Sequence, residues 1–564
     1  MKFRTSTILI IIVGVVGLLL RLWQLGVVPP SPNWDEVALG YNAYSILHTG
    51  KDEYGTFLPA VLRSYDDYKP AVYAYFVIPS IVIFGLNTFA VRFPAVLFGT
   101  LAIIAVYFLV KELFGKEEVH ICGKVIATES LALLSASLLA ISPWHIQFSR
   151  IAFESGVGVA FNIFAVLFFL VGLRKPVFLL LSAFCFGIAP SVYQSDKVFT
   201  PLLFFITAFL YRKELFKVPK KFLISSVIIG FLVLFPAVLV QLTDAKALAR
   251  AKGVSIFADQ TTFLKESSAR ILDDRLRGDF VGIVFDNRRV AFAKAIISGY
   301  LSHFDLNWLF VTGDLVRHHA PNMGLLYLWE FPFLFVGIYT LLFVKCERKK
   351  KLIIFLWFLA APIPASITSG VPHAVRTLNF LPTFQVFIAL GLVSAFFALK
   401  KLFYLSYMKR LLIGCLVTVY GAFTFWNVVF YLNEYFVQQN SLSSVDWQYG
   451  YGQAIEKIKK IEGDYTKIVV SNQPPLDQSY MFFLFYLRYD PALYQKDNQS
   501  NISGGFRENH AFGKFIFRPI DWNTEQKDPS TLYVGRQDDF PDGVGLIEKI
   551  DYLNGDTAIE LVEG

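Results

Sequence analysis

Apolar runs of close to twenty residues, parted by short basic clusters, recur along most of this chain and leave it few ways to fold. About 20 apolar residues are what a helix needs to cross the hydrocarbon core of a bilayer. Candidate spans lie near 7–27, 93–113, 125–143, 157–173, 177–193, 198–211, 222–241, 322–344, 352–368, 380–399 and 411–431, about eleven in all. Composition agrees: 55% of the 564 residues are hydrophobic and 17% charged, more apolar than a soluble protein sustains. The net charge of +8 raises nucleic acid as a partner. The basic residues, however, sit in short clusters between apolar runs, where orientation in a bilayer accounts for them. The chain is therefore read as an all-α polytopic membrane domain that does not bind nucleic acid.

The basic start Met1-Lys2-Phe3-Arg4 ahead of Ile8 to Leu20 is what a signal peptide would show. No small-residue cleavage pattern follows, so the run is read as an uncleaved first helix with its N-terminus inside. With that start, Lys111/Lys116/Lys124, Arg174/Lys175, Arg212/Lys213/Lys217/Lys220/Lys221, Lys345/Arg348/Lys349/Lys350/Lys351 and Lys400/Lys401/Lys409/Arg410 all fall on the inner side. The agreement requires Ala71 to Leu86, apolar enough to cross, to be an interfacial or re-entrant helix; counted as a span, it would put every cluster outside. Outer segments 28–92 and 242–321 and the region from about 432 follow. Cys122 and Cys346 border basic clusters while Cys185 and Cys415 lie in apolar runs, so neither a disulfide framework nor a metal knuckle is expected.

Composition changes at Tyr431-Leu432-Asn433-Glu434, beyond which no run is long enough to span. The β-rich pieces Ile468-Val469-Val470 and Thr531-Leu532-Tyr533-Val534, with a hairpin around Asn554-Gly555, predict a small extracytoplasmic α/β domain over 432–564, following a membrane-embedded domain over 1–431. Acceptor docking and a structural cap are both open as its role. Sequons at Asn498 and Asn501 occur too often by chance to carry weight.

Two carboxylates, Asp35-Glu36, stand just outside the first span. Their segment reads Asn33-Trp34-Asp35-Glu36, then Tyr41-Asn42-Ala43, then Asp66-Asp67-Tyr68-Lys69-Pro70-Ala71, and ends in Val91-Arg92-Phe93-Pro94. This order, followed by a helix from Ala95 through Gly115, resembles the polyprenyl-phosphate-sugar-dependent glycosyltransferases of the protein O-mannosyltransferase and aminoarabinose transferase superfamily, enzymes of the GT-C fold. In that family an Asp-Glu pair follows the first helix, Lys-Pro-Pro lies later in the same loop, and Arg-hydrophobe-Pro opens the next helix. Here Ala71 replaces the second proline and leaves Lys69 in place. Ser142-Pro143-Trp144-His145-Ile146-Gln147-Phe148-Ser149-Arg150 is similar to the family's second outer loop. The resemblance covers 10–200 by motif and 200–430 by architecture; the C-terminal region lies outside it.

Sugar transfer from a lipid phosphate needs a base for the acceptor's proton and cations for the departing phosphate. The resemblance makes Asp35 the base of an inverting displacement, with Glu36 orienting it or bonding the acceptor. The competing reading is that both acids cap the helix that starts near Val37. Lys69 is matched to the carrier phosphate, against an interfacial snorkelling lysine. Asp66 and Asp67 read as solvated loop acids. On the second outer loop, beside His145, Arg150 is a phosphate clamp and Glu154 a carboxylate for substrate hydroxyls or a divalent cation; a plain i,i+4 ion pair between them is the simpler account. In the loop Gly370 to Arg376, Arg376 is a second phosphate candidate or a positioning charge. Arg21 and Arg92, at helix ends, read as structural or headgroup-facing.

Beside His303, the third outer segment holds Gly313-Asp314-Leu315-Val316-Arg317-His318-His319. Adjacent residues point apart on a helix, so His318-His319 is a poor chelate and a loop covering the site is expected instead. No metal ligands are assigned, and a divalent cation stays open as a cofactor. The expected function is transfer of a sugar from a polyprenyl-phosphate carrier to a protein, lipid or glycan acceptor on the extracytoplasmic face, with no nucleotide site. The alternatives are a transporter or flippase of lipid-linked glycans, for which no internal repeat is found, and a noncatalytic membrane scaffold.

Overall fold

The computed structural model describes residues 2–65, 67–115, 119–121, 124–243, 253, 255–257, 260–343, 347–402, 407–497 and 509–564. Asp66, Lys116, Cys122, Lys345, Cys346 and the sequons at Asn498 and Asn501 lie outside them.

The N-terminal part runs α1 (Lys2–Leu22), α2 (Trp34–Thr49), β1 (Val61–Ser64), β2 (Asp67–Pro70), α3 (Val72–Phe84), α4 (Thr88–Phe114), β3 (Val119–Ile121), β4 (Lys124–Ile126), α5 (Thr128–Ile141), α6 (Pro143–Phe148), α7 (Ser155–Gly172), α8 (Phe178–Ile188) and α9 (Asp196–Leu210). Every expected apolar run carries a helix. Among the described residues, six helices are long and apolar enough to cross a membrane: Thr5–Leu22, Thr88–Phe114, Ser155–Gly172, Lys220–Thr243, Leu378–Lys400 and Tyr407–Ser443. The other apolar helices are shorter, and α3, the segment set aside as interfacial, is one of them.

The basic connections meet on one face. Lys111 pairs with Glu129 at 3.3 Å, Arg174 pairs with Glu112, and Lys349 pairs with Glu214. The opposite ends of the helices carry α2, the β1–β2 hairpin, α6 and the C-terminal region.

That region holds a six-stranded sheet of β5 (Lys467–Val470), β6 (His510–Phe512), β7 (Phe515–Phe517), β8 (Thr531–Gly535), β9 (Leu546–Asp551) and β10 (Thr557–Glu563), in the order β6-β7-β5-β8-β10-β9. β5 is parallel to β7 and β8; the remaining pairs are antiparallel, including the hairpin through Asn554-Gly555. The helix Ser479–Leu487 is apolar all round because both of its sides are covered. Phe483 meets Phe515 and Phe517 of the sheet. Phe485 presses on α2 at Gly40, where a Cβ would stand 2.7 Å from its ring. The sheet region is thus packed directly onto the helix that carries Asp35.

Within the bundle, helices Phe331–Phe343 and Thr383–Leu402 approach backbone to backbone. A Cβ on Gly391 would come within 2.0 Å of the Phe333 carbonyl oxygen, and one on Gly337 within 1.7 Å of that of Phe387. Small residues permit such approach where lipid supplies no hydrophobic drive. Gly391→Ala is expected to cost about 1–3 kcal/mol by overpacking and to lower the melting temperature of the detergent-solubilised protein. Gly414→Ala, at a position with nothing within 4 Å, is expected to leave it unchanged.

Candidate active site

The sequence Asn33-Trp34-Asp35-Glu36 starts a helix by a capping box. Asn33 Oδ1 accepts from the Asp35 and Glu36 amides at 2.8 and 3.2 Å, and Glu36 Oε2 accepts from the Asn33 amide at 3.2 Å. Successive residues on a helix point in different directions, so the cap separates the two acids. Glu36 turns inward and Asp35 outward.

Glu36 is fully buried, and so is the residue it meets. Arg92 Nε and Nη2 donate to Glu36 Oε1 and Oε2 at 2.9 and 3.0 Å. The same guanidinium donates to the carbonyls of Leu25, Pro29 and Ser31, and the Ala152 amide donates to Glu36 Oε1 at 2.9 Å. The expectation that Glu36 bonds the acceptor is corrected, because its carboxylate is committed to the frame; it bears on Asp35 only by fixing the backbone they share. Arg92 is structural and does not face headgroups.

Asp35 forms an ion pair with Lys69. Lys69 arrives on β2, which the hairpin register sets opposite Leu62 of β1. Its ammonium lies 5.9 Å from the Tyr65 ring centre, and the Tyr65 hydroxyl donates to the Trp34 carbonyl at 2.9 Å. The Lys69 side chain is 7% exposed and that of Asp35 28%, so the carboxylate is reachable from solvent and the ammonium stands behind it.

A third charge comes from the turn 313–319. The Arg317 guanidinium lies 4.1 Å from the Trp34 ring centre, and its backbone carbonyl accepts from Gln147 Nε2 at 2.7 Å. Its Nη1 is buried without a hydrogen-bond partner. Burial lowers its pKa, opposed first by the negative charge of Asp35. Sequence reasoning read this turn for its histidines and missed Arg317; an arginine in an outer segment, the feature that singled out Arg376, was the available signal.

The remaining expected residues lie elsewhere. Arg150 is fully buried and uses every nitrogen on the protein: Nη1 donates to the Leu20 and Arg21 carbonyls, Nη2 to Val28 and Nε to the Tyr435 hydroxyl. It closes the C-terminal end of α1 instead of clamping phosphate. Glu154 is buried at the start of α7, within electrostatic reach of Tyr73. Arg376 bonds Thr368 Oγ1 and the Ser369 carbonyl at 2.6 and 2.7 Å. Arg21 is buried and bonds His145 Nδ1 and the carbonyls of Gly17 and Ala140.

The family model for dolichyl-phosphate-mannose-protein mannosyltransferase matches residues 68–240. No curated protein sequence matches. The fold is similar to that of ArnT from Cupriavidus metallidurans, apo (TM-score 0.53, 12% identity, 100% of this chain and 98% of that one) and bound to undecaprenyl phosphate (TM-score 0.53, 11% identity, 99% and 98%). The archaeal oligosaccharyltransferase AglB from Archaeoglobus fulgidus is a further match, with TM-score 0.49, 13% identity and coverage of 95% and 70%. The protein is a multi-pass membrane protein of the GT-C fold. Its resemblance to the polyprenyl-phosphate-sugar-dependent glycosyltransferases is carried by the family model as well as by the motifs.

Two predictions follow from the buried charges. Glu36→Gln and Arg92→Met each leave one partner uncompensated and are expected to cost about 3–5 kcal/mol, while the double variant costs less than their sum; thermal melting in detergent measures all three. Glu53, in the loop after α2, is fully buried with Oε1 accepting from Asn42 Nδ2 at 3.2 Å. Burial pushes its pKa from 4.5 up to about 8. A raised acid contributes stability below the lower value that is lost as pH rises through the upper one. The melting temperature should therefore fall between pH 4.5 and about 8, and Glu53→Gln should remove that part of the fall.

Proposed function

We propose that this protein is an integral-membrane glycosyltransferase that takes one sugar from a polyprenyl-phosphate carrier and passes it to a nucleophile on the outer face. The observation that carries the reading is the meeting of three residues from distant segments: a reachable carboxylate, Asp35, with Lys69 paired to it and Arg317 beside it. The family model, described for a dolichyl-phosphate-mannose enzyme, and the likeness to an ArnT structure bound to undecaprenyl phosphate support the same donor class.

Asp35 is the general base. It takes the proton of the acceptor as the acceptor's atom attacks the anomeric carbon; the bond from that carbon to the phosphate oxygen breaks, and the polyprenyl phosphate leaves with the electron pair. A single displacement of this kind inverts the anomeric centre. Lys69 offers the departing phosphate a compact positive charge and Arg317 a planar fork. In the resting protein Lys69 is paired with Asp35. An arriving phosphate competes for Lys69 and releases the carboxylate to the acceptor, so the donor itself activates the base. Glu154 and Arg376 are assigned no step.

The basic face is cytoplasmic, by the preference of Lys and Arg for that side. The N-terminus then lies inside, and Asp35 and the domain over 432–564 lie outside. Purified protein given labelled sugars on synthetic polyprenyl phosphates tests the reading. Asp35→Asn is expected to lose about 10²–10⁴-fold in rate with its fold kept. Lys69→Met and Arg317→Met should weaken use of the donor. A folded wild type inert toward every such donor would overturn the reading.

A further inference from the structure

Two outer loops far apart in sequence bring a carboxylate and two imidazoles together. Asp314 and His318 belong to the turn 313–319 and His373 to the loop 370–376; one ligand atom from each lies within 4.8 Å of the others. His318 Nδ1 stands 2.9 Å from Asp314 Oδ2, and the His318 and His373 rings are 5.0 Å apart. His373 Nδ1 is buried with no hydrogen-bond partner, a costly state for a polar atom that a ligand would relieve.

The surroundings hold these groups in place. The Ala374 amide donates to Asp314 Oδ2 at 2.6 Å, and the His373 amide donates to His303 Nε2 at 3.2 Å. His303 Nδ1 in turn donates to the Gly299 carbonyl at 2.6 Å. His319 turns away to the carbonyls of Asp314 and Ala320. Its ring leaves room only for glycine at position 313, where φ is 69° and a Cβ would fall 2.6 Å from it. Phe148 and Phe153 wall His318.

We infer that Asp314, His318 and His373 form a site for one zinc-class divalent ion, which pins the turn 313–319 to the loop 370–376. Two imidazoles and a carboxylate are a donor set suited to Zn²⁺ and its late first-row neighbours, with a water completing a tetrahedron. Ca²⁺ and Mg²⁺ prefer oxygen ligands. The ion takes the place of the proton between Asp314 and His318, and that proton moves to the other ring nitrogen. Because His318 directly follows Arg317, the same ion steadies the guanidinium over Trp34. This last consequence rests on the proposed transferase reading; metal binding does not.

The test is metal content of the full-length protein in detergent, stripped with chelator and dialysed against Zn²⁺, together with the visible ligand-field spectrum of the Co²⁺ form. Wild type should retain one ion per chain and give the spectrum of a low-coordinate site with nitrogen ligands. Asp314→Asn and His373→Ala should lose affinity by more than the roughly 10–100-fold that follows removal of an outer partner of a metal ligand. His48→Gln, at an exposed histidine, should retain it. Asp35→Asn should bind the ion normally even where transfer is lost, which separates failure here from failure of the transferase reading. No retained ion in folded wild type, or binding unchanged in Asp314→Asn and His373→Ala, would overturn the inference. If His373→Ala does not fold, Asp314→Asn and the wild-type Co²⁺ spectrum decide it.

Discussion

The buried pair of Glu36 and Arg92 is the contact on which the outer face depends. Removing two charges from water is costly unless their hydrogen bonds are met, and here they are. Arg92 uses its fork on both carboxylate oxygens and on three carbonyls of the irregular segment between α1 and α2, and Glu36 also accepts the amides of Asn33 and Ala152. One ion pair thereby joins the start of α2, the start of α4, the chain after α1 and the loop before α7. Trp447 lies over the guanidinium at 5.7 Å and extends the junction to the C-terminal region. Asp35 points where it does because its neighbour cannot move.

Other arginines repeat the device. Arg150 closes the end of α1 from the second outer loop, with its guanidinium against Phe436 at 4.8 Å, and Arg21 joins α1 to α5 and α6 through His145. Residues whose charge suggests a phosphate site from sequence are thus split by burial. The fully buried arginines satisfy backbone carbonyls; Lys69, itself buried, stands behind the reachable Asp35 carboxylate, and Arg317 is half-buried over Trp34. The C-terminal region contributes to the same end: Gln448 Oε1 accepts the Trp34 amide at 3.1 Å, so the ring beneath Arg317 is braced from a distant segment.

Much of the fold was legible in the chain. Apolar run length located the helices, and strand propensity with an Asn-Gly turn located β5, β8 and the β9–β10 hairpin. The alternative reading, both acids capping a helix from near Val37, found a helix start but set it three residues late: Asn33 is the cap and α2 begins at Trp34. The site was legible in part. Asp35 and Lys69 were named from motif order, and they meet. Arg317 was passed over, and Arg150 and Glu36 were placed in the chemistry, because exposure is a property of packing that no window of sequence contains.

The sequence alone determined that the chain is a bundle of apolar helices with charged outer segments, since hydrophobic periodicity and run length act through the solvent and need no partner. It also placed a helix start beside Asp35-Glu36, because a cap is made within a few residues of local sequence; that Asn33 is the cap and Trp34 the first residue of α2 came from the structure. Tertiary structure decided which charges are bolts and which are free to act. It set Glu36 against Arg92, Asp35 against Lys69, and His318 against His373 across two loops. Each pairing depends on long-range approach of segments, and the energy of a charge is fixed by the groups and the dielectric around it, not by its neighbours along the chain.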